Sequence, residues 1–238
     1  MDVAALHPDS ALFLDFDGTL APIQDDPDKV FLPEDGEKVL ATLHQYLEGA
    51  LVIISGRDIR DLSARIPEML WRAGGHGLDI CAPGQPPGSI VTEPPKALAA
   101  QLRDLALQHE GARLEEKGAV LALHYRAAPE IGESLANTVS DIVKKTSGYV
   151  MQHGKMVIET KPLAANKGST LRTMMEKPEF ARRVPVMVGD DVTDEDAMEA
   201  ALNLGGGAIK VGDGASVATM WLDDPAAVWN WLKRSAGL

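Results

Sequence analysis

The chain has 238 residues, of which 45% are hydrophobic and 24% are charged. These proportions predict an ordered globular protein with one large core, or with one medium and one small core. The formal net charge of −12 at pH 7 argues against nucleic acid or an anionic membrane as a partner, because both require a positive surface. A phosphorylated small molecule is compatible with this charge if cations are concentrated at its site.

Neither a leader peptide nor a membrane anchor is expected. The N-terminal stretch MDVAALHPDS has no basic start followed by a long apolar run, and no later apolar stretch approaches the length of a membrane span. The single cysteine, Cys81, cannot form an internal disulfide and suits a reducing compartment, where a buried inert thiol is its expected role. The sequence therefore predicts a soluble cytoplasmic protein, with a monomer as the expected oligomeric state.

The first and last parts of the chain show strands that alternate with helices. Apolar runs predict buried strands in ALFLDFDGTL (residues 11–20), GALVIISGR (49–57), RRVPVMVGDD (182–191) and GGGAIKVG (205–212). Helices are predicted around Val39, Leu40, Leu43 and Leu47, around Ile59, Leu62 and Ile66, and in AAVWNWLKR (226–234), whose tryptophans are expected in the core. This alternation is typical of a doubly wound, mainly parallel α/β sheet.

The middle of the chain has a different pattern. After the Pro/Gly-rich stretch of residues 81–95, an amphipathic helix leads to residues 111–126, which alternate like a strand exposed on one face. A second amphipathic helix precedes residues 149–162, which predict a hairpin that turns at His153-Gly154. This pattern indicates a small α+β module.

The two patterns predict a discontinuous domain organisation. Residues 1–84 and 163–238 are expected to form the sheet domain, and residues 85–162 are expected to form an α+β module inserted into it. The chain contains no internal repeat and no low-complexity tract.

Four short polar motifs lie at or near the carboxyl ends of sheet elements. They are Asp15-Phe16-Asp17-Gly18-Thr19, Ser55-Gly56-Arg57, Asn166-Lys167-Gly168 and Gly189-Asp190-Asp191. Ligands of open α/β sheets bind in the crevice outside those ends, so motifs that are distant in sequence converge there. Each motif alone is weak evidence, because a lone Ser-Gly-Arg is usually a loop and a lone Lys at a helix start is usually solvated.

Asp15 and Asp17 stand out, since two ionised carboxylates at the end of a buried strand repel each other and lose hydration. Such an arrangement usually implies a cation, a proton or a phosphoryl group between them. A carboxylate can attack phosphorus, a second acid can shuttle a proton, an oxygen-ligated divalent ion can neutralise charge, and a Lys with a hydroxyl can hold phosphoryl oxygens. Together the four motifs supply the parts of a phosphoryl-transfer site.

With these motifs in place, the chain resembles the haloacid dehalogenase-like phosphatases. The DFDGTL segment, Ser55, Lys167 and the acidic GDDVTDED (residues 189–196) are similar to the four signatures of that family, in the same chain order. The likeness is closer still to the trehalose-6-phosphate phosphatases and spans nearly the whole chain. It rests on Gly75-His76-Gly77, Glu115-Glu116-Lys117, Leu123-His124-Tyr125-Arg126, Val157-Ile158-Glu159 and Lys161-Pro162.

The resemblance implies a role for each matching position in the sheet domain. Asp15 would attack the phosphorus, and Asp17 would first protonate the departing sugar oxygen and then deprotonate water. Mg²⁺ would bind the Asp15 carboxylate, the main-chain carbonyl of Asp17 and the Asp190 carboxylate. Ser55 and Lys167 would stabilise the transferring oxygens.

The same resemblance implies supporting roles around these residues. Asp191 and Asp194 are expected to orient the metal ligands or Lys167. Further substrate contacts are implied for Thr19, Gly56, Arg57, His76, Gly77 and Asn166. The chain departs from the family at Met198, where an aromatic residue is common, and we interpret this as a packing change.

The inserted module is expected to select the sugar. Residues two apart in a strand share a face, which predicts three pairs: Glu115 with Lys117, His124 with Arg126, and Glu159 with Lys161. These donors and acceptors suit a hydroxyl-rich disaccharide, and closure of the module over the sheet domain would exclude bulk water. Any single pair is equally common as an ion pair on a solvated sheet face. Three pairs together favour a sugar site, and the implied reaction is hydrolysis of trehalose 6-phosphate to trehalose and phosphate.

Three alternatives are open at this point. An enzyme for another sugar phosphate, such as sucrose phosphate, would share the four motifs but differ at Glu115, Lys117 and Glu159. A signalling receiver module also phosphorylates an Asp at a strand tip, but it is about half this length or less and needs neither a second acid nor a lid. A catalytically silent regulatory domain is disfavoured because the set of catalytic residues is intact.

Overall fold

The computed structural model describes residues 3–24, 26–88, 93–154 and 156–238. The chain divides into two compact units, each with its own sheet. Unit 1 comprises Met1–Pro87 and Asn166–Leu238, and unit 2 comprises Gly88–Ala165.

The first and last parts of the chain alternate between strands and helices, and the middle part adds two hairpins and two helices. In order, they are β1 (Ser10–Leu14), α1 (Gly36–Tyr46), β2 (Leu51–Ile54), α2 (Ile59–Ser63), β3 (Trp71–Gly74), β4 (Asp79–Cys81), α3 (Lys96–Leu107), β5 (Arg113–Lys117), β6 (Val120–His124), α4 (Gly132–Val143), β7 (Tyr149–Gly154), β8 (Val157–Pro162), α5 (Lys167–Met175), β9 (Val184–Gly189), α6 (Val192–Asn203), β10 (Gly207–Val211), β11 (Met220–Leu222) and α7 (Pro225–Ser235).

Unit 1 contains one seven-stranded sheet in the order β11-β10-β9-β1-β2-β3-β4. Every neighbouring pair of strands is parallel except β3 and β4. The strand order reverses at β1, from which the chain builds outward to β4 on one side and to β11 on the other. The predicted doubly wound, mainly parallel α/β fold is confirmed, and its switch point lies beside β1.

The core of unit 1 is built on β1, which is buried at all five positions, as expected for the central strand of a parallel sheet. The two tryptophans of α7 are buried in this core, as predicted from the sequence. The indole N–H of Trp229 donates to the carbonyl of Leu20 at 2.7 Å, and that of Trp231 donates to the carbonyl of Ala4 at 2.8 Å. Trp229 therefore anchors the segment that follows the first acidic motif.

Unit 2 is an α+β module with a separate core. Its four strands form an antiparallel sheet in the order β5-β6-β8-β7. The apolar stripes of α3 and α4 pack against the sheet, with a shared core of Leu98, Leu102, Leu105, Leu121, Leu123, Leu135, Val139 and Ile158. Among the described residues, this core has no member in common with the core of unit 1.

The helices are short. The longest in the described part of the chain, α3, α4 and α6, have 12 residues each. Over the same residues, none is long and apolar enough to cross a membrane.

Two local predictions are wrong in length. Residues 111–126 form the β5–β6 hairpin rather than a single strand, because Gly118 takes a left-handed φ of 59° between the two strands. The helix α2 ends at Ser63, so Ile66 is buried in the core from beyond the helix end. Residues 89–92 of the Pro/Gly-rich stretch lie outside the described residues.

The turn of the β7–β8 hairpin also differs from its prediction. His153 and Gly154 do not form the turn, because they pair with the first two residues of β8. Met156, with a φ of 61°, lies in the turn, and Lys155 beside it lies outside the described residues. The predicted turn residues therefore belong to the ladder of β7.

Candidate active site

Ends of strands and helices from distant parts of the chain meet at one edge of the unit 1 sheet. Asp15 directly follows β1 and Asp190 directly follows β9, and these strands are parallel neighbours. Lys167 is the first residue of α5, whose N-terminus is capped by the side chain of Asn166. The Asn166 side chain accepts a hydrogen bond from the amide of Ser169 at 2.9 Å, which sets where the helix starts.

A buried ammonium group lies at the centre of this edge. Lys167 is 2% exposed, and its Nζ donates to Asp15 Oδ1 at 2.7 Å and to Asp194 Oδ1 at 2.6 Å. Burial alone would lower the pKa of Lys167, but the carboxylates of Asp15 and Asp194 raise it above its usual value. Lys167 therefore stays charged and holds both carboxylates in place.

Three carboxyl groups surround this ammonium group. Oxygen atoms of Asp15, Asp190 and Asp194 lie within 4.8 Å of one another. Burial raises the pKa of Asp15 well above its usual value, and Asp194 raises it further, whereas Lys167 lowers it. Burial and Asp194 also raise the pKa of Asp190, to about 7. The raised pKa values mean that the cluster favours uptake of protons or of a cation.

Asp194 differs from the other two carboxylates because both of its oxygens already accept hydrogen bonds. Oδ1 accepts from Lys167, and Oδ2 accepts from the amides of Asp190 and Asp191, each at 3.1 Å. With the side chain of Asp191, which caps α6, Asp194 forms a capping box. Asp194 thus fixes the turn after β9, and the carboxylates of Asp15 and Asp190 are the better candidates for metal ligands.

Reasoning from the sequence missed Lys210, which lies on β10 next to β9. Its Nζ donates to the main-chain carbonyl of Asp190 and, at 3.0 Å, to that of Val211, and the residue is 4% exposed. Burial and Asp194 dominate the pKa of Asp190, but the charges of Lys167 and Lys210 lower it. A charged residue inside the predicted buried strand GGGAIKVG is the signal that points to Lys210.

The side chain of Asp17 is paired with Arg57. Arg57 Nε donates to Asp17 Oδ2 at 2.7 Å, and Nη2 donates to Oδ1 at 2.6 Å. Nη1 donates to Asp61 Oδ2 at 2.7 Å. Burial opposes the charge of Arg57, but the hydrogen bonds and charges of Asp17 and Asp61 raise its pKa. The resemblance predicts a substrate contact for Arg57, whereas the structure places its guanidinium on two carboxylates.

Two buried hydroxyl groups lie after β1 and β2. Thr19 Oγ1 donates to Asp190 Oδ1 at 3.3 Å, and Ser55 Oγ accepts from the amide of Arg57 at 3.1 Å. Gly18 has a φ of 85°, and a Cβ atom there would lie 2.2 Å from Asp190 Oδ2. Only glycine lets the chain pass the Asp190 carboxylate this closely.

Other predicted substrate contacts of unit 1 lie against protein neighbours. A Cβ atom on Gly56 would lie 2.7 Å from the ring of His76, which is buried and has a φ of 57°. A Cβ atom on Gly77 would lie 1.7 Å from Thr170 Oγ1. Asn166 Nδ2 donates to Asp196 Oδ2 at 2.6 Å, which ties α5 to α6. Gly77 and Asn166 therefore contact α5 and α6, the helices that contain Lys167 and Asp194.

A polar row crosses one face of the unit 2 sheet. Ala122 of β6 pairs with both Glu115 of β5 and Glu159 of β8, so the two acids flank a small side chain. His124 Nε2 lies 2.7 Å from Glu115 Oε2, and Lys117 Nζ lies 3.6 Å from Glu115 Oε2 and 3.8 Å from Glu159 Oε1. Burial opposes ionisation of Glu115, but His124 and Lys117 lower its pKa. The polar row, Glu115, Lys117, His124 and Glu159, is one half-buried cluster.

Three further residues relate to the polar row. Lys161 is buried two residues after Glu159 on β8, whereas Arg126 lies beyond the end of β6 and is exposed. The sequence did not single out Gln152 of β7, which pairs with Glu159 and extends the row. Among the described residues, its buried Oε1 has no hydrogen-bond partner.

Similarity to solved structures identifies the fold of this protein. The chain superimposes on a haloacid dehalogenase-like hydrolase from Bacteroides thetaiotaomicron with a TM-score of 0.66 and 14% identity, covering 94% of this chain and 98% of that chain. It superimposes on the C-terminal domain of C. albicans trehalose-6-phosphate phosphatase with a TM-score of 0.81 and 23% identity, covering 96% of this chain and 92% of that chain. The fold is therefore that of the haloacid dehalogenase-like hydrolases.

Similarity in sequence narrows this class to one family. Residues 13–219 match the family model described as trehalose-phosphatase. Over 231 residues the chain is 37% identical to the trehalose-6-phosphate phosphatase of Escherichia coli (strain K12), a match that covers 94% of this chain and 85% of that protein. The chain belongs to the trehalose-phosphatase family and is a phosphoric monoester hydrolase.

Proposed function

We propose that this protein hydrolyses trehalose 6-phosphate to trehalose and phosphate, with Mg²⁺ and with a phosphoryl group carried transiently by Asp15. The observation that supports this most strongly is the buried pairing of Asp15 with Lys167 at 2.7 Å, at the end of the central strand. A carboxylate held there is placed to act as a nucleophile toward phosphorus. The similarity to an enzyme named for trehalose 6-phosphate supports the substrate.

Two steps account for the chemistry. In the first, an oxygen of Asp15 attacks phosphorus, the bond between phosphorus and the sugar oxygen breaks, and the carboxyl group of Asp17 protonates that oxygen. In the second, Asp17 takes a proton from water, whose oxygen attacks phosphorus and releases phosphate from Asp15. Lys167 and the hydroxyl of Ser55 stabilise the charge on the transferring oxygens.

The residues of the carboxylate cluster fit a divalent ion. Mg²⁺ prefers oxygen ligands, and the carboxylates of Asp15 and Asp190, with the main-chain carbonyl of Asp17, would hold it. Burial, and after it the charge of Asp194, raises the pKa values of Asp15 and Asp190, and a bound cation would favour the ionised form of both groups. When bound, Mg²⁺ supplies charge stabilisation to the phosphoryl group. Asp191 and Asp194 keep the loop that carries Asp190 in its conformation.

The polar row of unit 2 supports a sugar ligand. Its carboxylates and amino group offer acceptors and donors on one half-buried face, as binding of several hydroxyls requires. A site that forms hydrogen bonds with hydroxyl groups rejects analogues that lack them. We propose that the row binds the disaccharide, with Lys161 and Arg126 as further contacts.

A panel of sugar phosphates tests this function. Phosphate release from trehalose 6-phosphate, sucrose 6-phosphate and glucose 6-phosphate is measured with Mg²⁺ and after exhaustive chelation. We expect the highest kcat/KM for trehalose 6-phosphate, with activity that chelation removes and Mg²⁺ restores. Preference for sucrose 6-phosphate would support the related enzyme instead, and activity unaffected by chelation would contradict the metal assignment.

A further inference from the structure

Arg57 holds the side chain of Asp17 with two parallel hydrogen bonds, of 2.7 Å from Nε and 2.6 Å from Nη2. A bidentate pair of this kind fixes both the position and the plane of a carboxyl group. The side chain of Asp17 is 36% exposed, whereas that of Arg57 is 9% exposed. The partly exposed carboxyl group of Asp17 is therefore held in place by the buried guanidinium group of Arg57.

Arg57 is itself held by several neighbours. Its Nη1 donates to Asp61 Oδ2 at 2.7 Å, and its Nη2 also donates to the carbonyl of Pro27 at 3.0 Å. The guanidinium carbon lies 5.4 Å from the centroid of the Phe16 ring. All three guanidinium nitrogens thus donate to groups of the protein, which leaves Arg57 poorly placed to bind a phosphoryl group.

A second arginine extends this support. Arg65 donates to Asp61 Oδ1 at 3.0 Å and 2.7 Å, and to the carbonyl of Val30 at 2.7 Å. The side chain of Arg65 is 7% exposed and that of Asp61 is 37% exposed, so the arginine is buried and the carboxylate is partly exposed. Asp61 is therefore fixed between the two arginines, and the orientation of Arg57 follows from the fold rather than from a ligand.

We propose that Arg57 is a positioning residue, which orients the Asp17 carboxyl group for proton transfer and does not bind the substrate phosphoryl group. The inference rests on the proposed function, in which Asp17 is the acid and base. Proton transfer from a fixed donor speeds departure of a poor leaving group far more than departure of a good one, because a good leaving group needs little protonation. This difference separates positioning of Asp17 from binding of phosphate.

The test compares two small esters that lack a sugar. Benzyl phosphate has a poor leaving group and 4-nitrophenyl phosphate has a good one, and kcat/KM is measured for both with Mg²⁺. The variants are Asp17→Asn, Arg57→Ala and Arg57→Lys. Arg60→Ala is the matched control, because Arg60 is a nearby arginine in the first turn of α2, is exposed and pairs with Asp58 at 2.9 Å. Thermal unfolding and the inhibition constant of inorganic phosphate are measured on the same preparations.

We expect Arg57→Ala to lower kcat/KM for benzyl phosphate by about 10- to 10²-fold and for 4-nitrophenyl phosphate by less than about 3-fold. The inhibition constant of phosphate should stay unchanged. Arg57→Lys keeps the charge but loses the bidentate geometry, so its loss of kcat/KM should also be selective for benzyl phosphate but smaller. If Arg57→Ala does not fold, Arg57→Lys provides the test. Arg60→Ala should match the wild type.

The outcomes separate this inference from the proposed function. If Asp17→Asn loses activity selectively on benzyl phosphate but the Arg57 variants lose both activities equally, or bind phosphate more weakly, the inference alone is wrong. If Asp17→Asn itself shows no selectivity between the esters, the acid role of Asp17 is wrong, and the inference is overturned with it.

Discussion

Replacement of Lys167 by Met should destabilise the protein strongly and in a pH-dependent manner. The side chain of Lys167 is 2% exposed and forms ion pairs with Asp15 and Asp194, whose side chains are 6% and 0% exposed. Removal of one partner from a buried ion pair costs about 3–5 kcal/mol, because the other charge stays buried without compensation. In this case two carboxylates lose their partner, and Asp190 lies within the same cluster.

The pH dependence follows from the pKa of the carboxyl groups. Lys167 lowers the pKa of Asp15 and Asp190, so Lys167→Met should raise both further. A carboxyl group with a raised pKa in the folded state stabilises the fold at low pH, and that stabilisation is lost as the pH rises through the folded-state pKa. The loss of stability in Lys167→Met should therefore be larger at pH 8 than at pH 5.

Urea unfolding of the chelated protein at these two pH values measures the effect. Lys29→Met is the matched control, since Lys29 is 77% exposed and pairs with Asp26 at 3.3 Å, and this change should cost less than about 1 kcal/mol. A loss below about 1 kcal/mol for Lys167→Met, or a loss that is equal at pH 5 and pH 8, would refute the description of this ammonium group as the counterion of the cluster.

Three further predictions follow from the same contacts. The free energy of unfolding of the chelated wild type should fall as the pH rises from 3.8 to about 7, because burial raises the pKa of Asp190, and urea titrations should show Mg²⁺ removing this fall. In Lys210→Met the fall should continue above pH 7, since Lys210 lowers the pKa of Asp190; an unshifted profile would contradict the contact. Alanine at Glu115, Lys117 or Glu159 should lower kcat/KM for trehalose 6-phosphate by roughly 10- to 10³-fold each while sparing 4-nitrophenyl phosphate, and equal losses on both substrates would argue against a sugar site.

The location of the site residues at one edge of the unit 1 sheet could be predicted, because the sequence patterns that indicate it are local. Each buried strand is an apolar run that ends in a polar motif, and parallel strands bring such ends together. The meeting of Asp15 and Asp190 follows from this rule, whereas Lys167 reaches them from the N-terminus of α5. Gly18 is part of the first acidic motif in the sequence, but the structure is needed to explain why a glycine is required there. A Cβ atom at this position would lie 2.2 Å from Asp190 Oδ2.

The partners of individual side chains could not be predicted in the same way. Arg57 is three residues past β2, and whether it reaches a ligand or Asp17 depends on distances that no spacing in the sequence encodes. The polar row depends on register: Glu115 and Glu159 meet across Ala122 because the β5–β6 turn falls at Gly118. A chain interpreted as one long strand hides that register.

The most direct test of the central claim is to identify the residue that carries the phosphoryl group. Asp17→Asn protein is mixed with 4-nitrophenyl phosphate and Mg²⁺, quenched in acid, and analysed by peptide mass spectrometry, with Asp15→Asn and the exposed Asp9→Asn in the same assay. The good leaving group allows the first step, and loss of the base slows the second, so a phosphoryl group should accumulate on Asp15. Asp15→Asn should carry none and should lose at least ~10³-fold in turnover, whereas Asp9→Asn should match the wild type. A phosphoryl group on another residue, or turnover that survives in Asp15→Asn, would contradict the account.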